Sequence, residues 1–311
     1  HFAGYGAVNA GREYNDVEIS QRTFLEQYVK PFRMALKARP AMVMTAFNAI
    51  DRKPISGNKE LLKGLLRDKE GFEGTVISDW GSIGQLEEQG VAADMEEAAI
   101  QASEAGVDID MMSPAYMLCL EKLVESGKIP KAFVDESAFR VLMMKNQLGL
   151  FENPFAGLGK SGKLTQHNRE KAYQLAGESC VLLKNEKKIL PLSVKKKVIW
   201  AGPYTASREF LSRWSIFGEH EAVETIEDVL QKKQIEAECI TGCNILSDAE
   251  CKVWQVEQEL SDKPGDEQWL ETITQEDTVV CVLGEHESQS GEAASRAFLT
   301  LPEEQQVLFC L

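Results

Sequence analysis

The chain has 311 residues, 43% of them hydrophobic and 8% aromatic, which is enough apolar material for two packed domains. Its formal net charge of -15 is the wrong sign for following nucleic-acid phosphates, and the one basic cluster, Lys195-Lys196-Lys197, leads directly into an apolar run. No stretch reaches the ~18 to 20 apolar residues that cross a bilayer, and HFAGYGAVNAGREYN lacks a charged region followed by an apolar one, so neither nucleic acid nor membrane is expected as a partner.

In chain order, Phe24, Leu25, Tyr28, Val29, Phe32 and Leu36 recur at helical spacing over residues 22 to 38, and Met42 to Phe47 reads as an apolar strand. Leu61 to Leu66 predicts a short helix. Thr75-Val76-Ile77 predicts a buried strand that stops at Asp79. An Ala- and Glu-rich helix over 92 to 105 ends at Gly106, a third strand follows in VDIDMM, and helices over about 116 to 126 and 132 to 149 close the region. Alternating strands and helices imply parallel pairing through right-handed crossovers. The options are a (β/α) barrel or a doubly wound sheet, and a full eightfold barrel needs ~250 residues.

Phe151 to Gly162 (FENPFAGLGKSG) is rich in Gly, Pro and Asn without periodicity and predicts a linker, extending to residue 166, between a first domain at 1–150 and a second at 167–311. The second begins with a helix over about 168 to 178 and a strand in CVLLKN. Strands are then expected in VIWAG (198–202), around Ala237 to Ile240 and in DTVVCVLG (277–284), with a helix over about 224 to 233. The polar stretch Ser247 to Asp277 predicts helix with loops. The final LPEEQQVLFCL has a helical apolar face with no later element to meet, and His1 opens abruptly in a Gly-rich segment, so both ends look cut.

Seven cysteines, with no CxxC pair and no histidine at zinc spacing, predict reduced and mostly buried thiols and no metal site. This leans towards a reducing cytoplasmic compartment while leaving a periplasmic or secreted location open.

Groups at the carboxyl end of a parallel strand face the ligand side of an α/β fold. Asp79 sits there and either caps the following turn or is kept for chemistry. Trp80 beside it offers a flat apolar face for a sugar ring, or ordinary packing. After VVCVLG, the polar loop EHESQSGEAASR carries Glu285, Glu287 and Glu292; it lacks the GK[ST] ending of a phosphate-binding loop and reads as flexible and solvated.

HFAGYGAVNAGREYN, MVMTAFNAIDRKPISGN, GFEGTVISDWGSI, AGVDIDM, LGLFENPF, SCVLLKNEKKILPL and GEHESQSGEAASR occur in the order found in glycoside hydrolase family 3, and the whole chain resembles the bacterial β-glucosidases of that family. The resemblance implies the C-terminal part of a (β/α)8-like barrel followed by the first part of an α/β sandwich, with the active site between them. It makes Asp79 the catalytic nucleophile and Glu292 the general acid/base. It places His1 on sugar hydroxyls, with the family's preceding lysine falling just before this chain, and sets Trp214 of WSIFG at the leaving-group side. Members often carry tyrosine where this chain has Phe47, so a hydroxyl that could touch the nucleophile is missing.

The implied activity is retaining hydrolysis of terminal non-reducing β-D-glucosyl residues from small β-glucosides or oligosaccharides, with no cofactor, in a chain that could form a homodimer. Two alternatives remain: a β-xylosidase or mixed-specificity enzyme of the same family, or a truncated, inactive sugar-binding remnant.

Overall fold

The computed structural model describes residues 1–159, 162, 165–193, 197–209, 211, 214–216, 218–257, 267–292 and 294–310. Several expected features therefore fall partly outside the described residues: the linker at 160, 161, 163 and 164, the lysine cluster at 195 and 196, and the polar stretch at 258–266. The chain divides into two compact units, His1–Gly162 and Lys163–Leu311, each mixed α/β. No helix among the described residues is long and apolar enough to cross a membrane.

In the first unit, a small sheet is made of β1 (Asp16–Val17), β3 (Ala49–Ile50) and β4 (Lys53–Pro54), while β2 (Met42–Met44) and β5 (Thr75–Ile77) pair in parallel, Val43 opposite Val76. Beyond β2, Phe2 bridges Thr45 in parallel, and beyond β5, Ile109 bridges Ile77 in parallel. Four segments thus lie side by side in the order Phe2, β2, β5, Ile109, and every step between them passes through a helical segment. The first of these steps is a helical run from Gln21 to Leu36, π-helical over Phe24–Val29; the next is Glu60–Lys69, and the last is Met95–Ala105. Leu62, Leu66, Val76, Ile83 and Leu86 fill the core between helices and strands and are fully buried. Asp94 caps Met95–Ala105 through the Glu97 N–H, and buried Ala98, Ala99, Ala102 and Ala105 let that helix pack closely.

The strand expected in VDIDMM shrinks to the single Ile109 bridge. Asp110 accepts from the Tyr116 N–H at 3.1 Å and from the Ser113 hydroxyl, so its carboxylate starts the Ala115–Glu125 helix, and Met112 at φ 67° turns the chain away.

In the second unit β6 (Val198–Ala201) runs parallel between β7 (Glu238–Ile240) and β8 (Thr278–Cys281). The helix Ile226–Lys232, opened by a Thr225/Asp228 capping box, connects β6 to β7. β7 and β8 flank β6 on opposite sides, so the strand order reverses at the carboxyl end of β6, where parallel sheets open a crevice. Gly202 follows at φ 127°, and a β-carbon there would collide with the Val282 carbonyl.

CVLLKN forms no strand: Val181, Leu182 and Leu183 are exposed after the Gln166–Ser179 helix. An apolar run signals strand-forming side chains, but a strand also needs a partner edge, and none pairs with it among the described residues. The seven cysteines are free, and against the expectation of mostly buried thiols only Cys119 and Cys243 are buried, while Cys180, Cys281 and Cys310 are exposed. The C-terminal helix, Glu303–Cys310, does meet a partner, because Leu308 packs over Gly242 and Gln305 is fully enclosed.

Candidate active site

The parallel ladder of β5 ends at Ile77, and the next residues turn sharply. Ser82 N–H donates to Asp79 O at 3.1 Å, which places Trp80 and Gly81 at the two central turn positions; Gly81 has φ 68°, a conformation open to glycine. This is why the run stops at an acid followed by tryptophan and glycine. The turn leaves Asp79 6% exposed and lifts Trp80 to 62% exposed. Trp80 N–H donates to Asp79 Oδ1 at 2.7 Å. Oδ2 is buried and accepts no hydrogen bond among the described residues, although His1 Nε2 lies 3.2 Å away. Burial pushes the Asp79 carboxyl above its ordinary range, opposed by the Trp80 N–H.

Around this carboxylate, His1 lies against Tyr5 with ring centroids 4.9 Å apart. Phe47 is buried, with Tyr14 edge-on at 4.7 Å and Tyr5 at 6.2 Å, so it packs within an aromatic cluster. Thr45, Ser56, Ser78 and Ser82, hydroxyls that sequence reading passed over, surround the Asp79 backbone. Their one sequence signal is polarity in apolar surroundings, as with Thr45 inside MVMTAF.

In the second unit, Glu292 is half-buried on the loop after β8, just beyond Gly291 at φ 94°. This loop is built rather than loose. Gln305 reaches up from the last helix, accepting from the Gly284 N–H at 2.9 Å while donating to Gly284 O at 2.9 Å and Ile245 O at 2.8 Å. Tyr204 donates to Glu285 O at 2.5 Å; burial and three nearby glutamates push its phenol up to about 12. Arg296 pairs with Glu285, and across a short 3₁₀ turn His286 N–H donates to Gln289 Oε1 at 3.1 Å while His286 Nδ1 accepts from the Ser288 N–H at 3.2 Å. Carboxylate-rich composition suggests solvation, yet Gln305 and Tyr204 stand 21 and 81 positions from the loop residues they hold, where a local reading does not see them. A cleft of about 800 Å³ at the carboxyl edge of this sheet is lined by Pro203, Ser207, Asn244, His286, Glu287 and Ala294. Trp214 belongs to this unit and is exposed.

Asp79, Trp80 and His1 are therefore brought together, and Phe47 reaches His1 only through Tyr5, which lies against both rings. Glu292 and Trp214 stand in the other unit.

Residues 1–144 match the glycosyl hydrolase family 3 N-terminal domain, and residues 180–309 match the C-terminal domain of the same family. A periplasmic β-glucosidase of Salmonella typhimurium is 34% identical over 99% of this chain and 43% of its own length. A β-xylosidase of Formosa agariphila is 28% identical over 97% of this chain and 43% of its own length. The crystal structure of the Listeria innocua β-glucosidase in complex with glucose superimposes with a TM-score of 0.85 at 37% identity, over 99% of this chain and 41% of that one. The chain spans less than half the length of each of these relatives. With both domain models of one family matched in order along it, the chain belongs to glycoside hydrolase family 3.

Proposed function

We propose that this chain carries the catalytic residues of a retaining β-glycosidase that releases terminal non-reducing β-D-glucosyl residues from small β-glucosides or oligosaccharides. The observation that carries the reading is Asp79: a buried carboxylate at the end of a parallel strand, one oxygen tied to the Trp80 N–H and the other accepting no hydrogen bond among the described residues, with the exposed Trp80 next in the chain. The β-glucosidase names of the Salmonella and Listeria relatives favour glucose over xylose.

Asp79 Oδ2 attacks the anomeric carbon as the Glu292 carboxyl gives its proton to the departing glycosidic oxygen. The glycosidic C–O bond breaks and a glycosyl ester forms on Asp79. Glu292, now a carboxylate, takes a proton from water; that water attacks the anomeric carbon and frees Asp79. Two inversions give net retention. His1, 3.2 Å from Oδ2, holds a sugar hydroxyl beside the nucleophile, and the Trp80 face stacks on the ring. In this reading the four parallel segments of the first unit are consecutive staves of a (β/α) barrel, and β6 to β8 begin an α/β sandwich.

General acid/base help is worth about 10²- to 10⁴-fold and matters most for a poor leaving group. Glu292→Ala is therefore expected to spare a dinitrophenyl β-glucoside far more than a methylumbelliferyl β-glucoside or a disaccharide. Equal losses on all of them would remove Glu292 from this role. The same assays with β-xylosides read the sugar preference, expected to favour glucose; a preference for the xyloside would transfer the assignment to the β-xylosidase branch.

A further inference from the structure

Ser78 N–H still donates to Ile109 O at 2.9 Å, but at Asp79 no strand backbone among the described residues supplies a partner, yet Asp79 must be held to a fraction of an ångström if it is to attack. Its backbone is held by two side-chain hydroxyls and by its own turn. Asp79 N–H donates to Thr45 Oγ1 at 3.2 Å. Thr45 Oγ1 is 2.8 Å from Ser56 Oγ, which is 2.7 Å from Ser82 Oγ, and all three residues are buried. An N–H can only donate, so Thr45 accepts from Asp79 whichever way the two outer hydroxyl bonds run. On the carbonyl side, Asp79 O accepts from the Ser78 hydroxyl at 3.0 Å and the Ser82 N–H at 3.1 Å, and Ser78 Oγ accepts in turn from the Met111 N–H at 2.7 Å.

We infer that Thr45 is a positioning residue for the Asp79 carboxylate, acting at the head of a buried Thr45–Ser56–Ser82 hydroxyl chain that fixes the Ser78–Asp79 peptide. This rests on the reading of Asp79 as nucleophile. The chain ties three separate stretches to one peptide: the end of β2, the turn after β4 and the turn after β5. With both backbone groups of Asp79 pinned and Oδ1 taken by the Trp80 N–H, rotation of the carboxylate is restricted and Oδ2 is the oxygen left to react. Thr45 touches neither the sugar nor the reacting atoms, so its removal acts on the chemical step and leaves substrate affinity alone.

The test is the rate at which 2-deoxy-2-fluoro-β-D-glucosyl fluoride adds to the protein, followed by intact mass at several probe concentrations. Thr45→Val keeps the shape and strands the Asp79 N–H; its limiting rate is expected to fall about 10- to 100-fold with the half-saturating concentration unchanged. Thr45→Ser restores the acceptor and most of the rate. Ser56→Ala, one bond further out, gives a smaller loss and serves if Thr45→Val does not fold. If the unsubstituted protein is labelled on Asp79 and both Thr45→Val and Ser56→Ala react at its rate, or if only half-saturation moves, the positioning role is overturned while the function stands. Labelling of the unsubstituted protein at another acid, or none, overturns the reading of Asp79 and this inference with it.

Discussion

Asp79→Asn is expected to lower turnover of an aryl β-glucoside by about 10⁴- to 10⁶-fold, the scale seen when a covalent hydrolase loses its nucleophile. An amide oxygen still accepts from the Trp80 N–H, so the local fold survives while the group that forms the ester is gone. The same change has an opposite effect on stability. Burial raises the Asp79 carboxyl above its ordinary value, so in the folded protein the charged form is disfavoured. A raised carboxyl favours folding fully below the unfolded value, and that advantage is lost as pH rises through the folded value. At neutral pH, therefore, the ionised aspartate is a burden that asparagine does not carry. Asp79→Asn is expected to melt higher than the unsubstituted protein at pH 7, the gap closing as pH falls through the carboxylate range. Melting curves at pH 7 and pH 3 check this; a lower melting point at pH 7 would mean that the carboxylate is held by donors and not strained by burial. The acid limb of kcat/KM should likewise lie above the range of an exposed aspartate.

The second large effect is structural. Asp108 is fully enclosed: Oδ2 accepts from Arg67 Nη2 at 2.7 Å and the Val76 N–H at 2.8 Å, and Oδ1 from Arg140 Nη1 and Ser137 Oγ, each at 2.9 Å. One carboxylate thus joins β5 to the Glu60–Lys69 helix and to the Lys131–Gln147 helix. Arg67 carries the tie further, donating to Gly74 O at 3.0 Å, and burial lowers its pKa against the pull of Asp108. Removing one partner leaves charge buried without compensation, and Asp108→Ala is expected to destabilise by about 3 to 5 kcal/mol. Urea unfolding should show an earlier midpoint with an unchanged slope. A loss below about 1 kcal/mol, the value of an exposed pair, would show that the two guanidiniums find water instead.

Much of this was legible from residue pattern. Apolar runs bounded by turn residues located β2, β5, β6, β7 and β8, and the 3.6-residue spacing located the helices between them, because burial of one face imposes the period. Asp79 stood out because an acid terminates a buried strand, and its neighbours Trp80 and Gly81 encode the turn that exposes one and hides the other. Less visible were groups whose meaning depends on a distant partner. Asp108 and Asp110 look alike in VDIDMM, yet one neutralises two arginines and the other starts a helix. Thr45, Ser56 and Ser82 are ordinary polar residues until folding brings them within hydrogen-bond reach. Gln305, in a helix that looked unpartnered, holds Gly284 at the root of the loop carrying Glu292. CVLLKN shows the converse, a strand-like run without an edge to join.

Where the covalent sugar resides decides the account most directly. After reaction with 2-deoxy-2-fluoro-β-D-glucosyl fluoride, proteolysis and tandem mass spectrometry are predicted to place the fluoroglucosyl ester on the peptide containing TVISDWGS, at Asp79. An ester on any other carboxylate would contradict it.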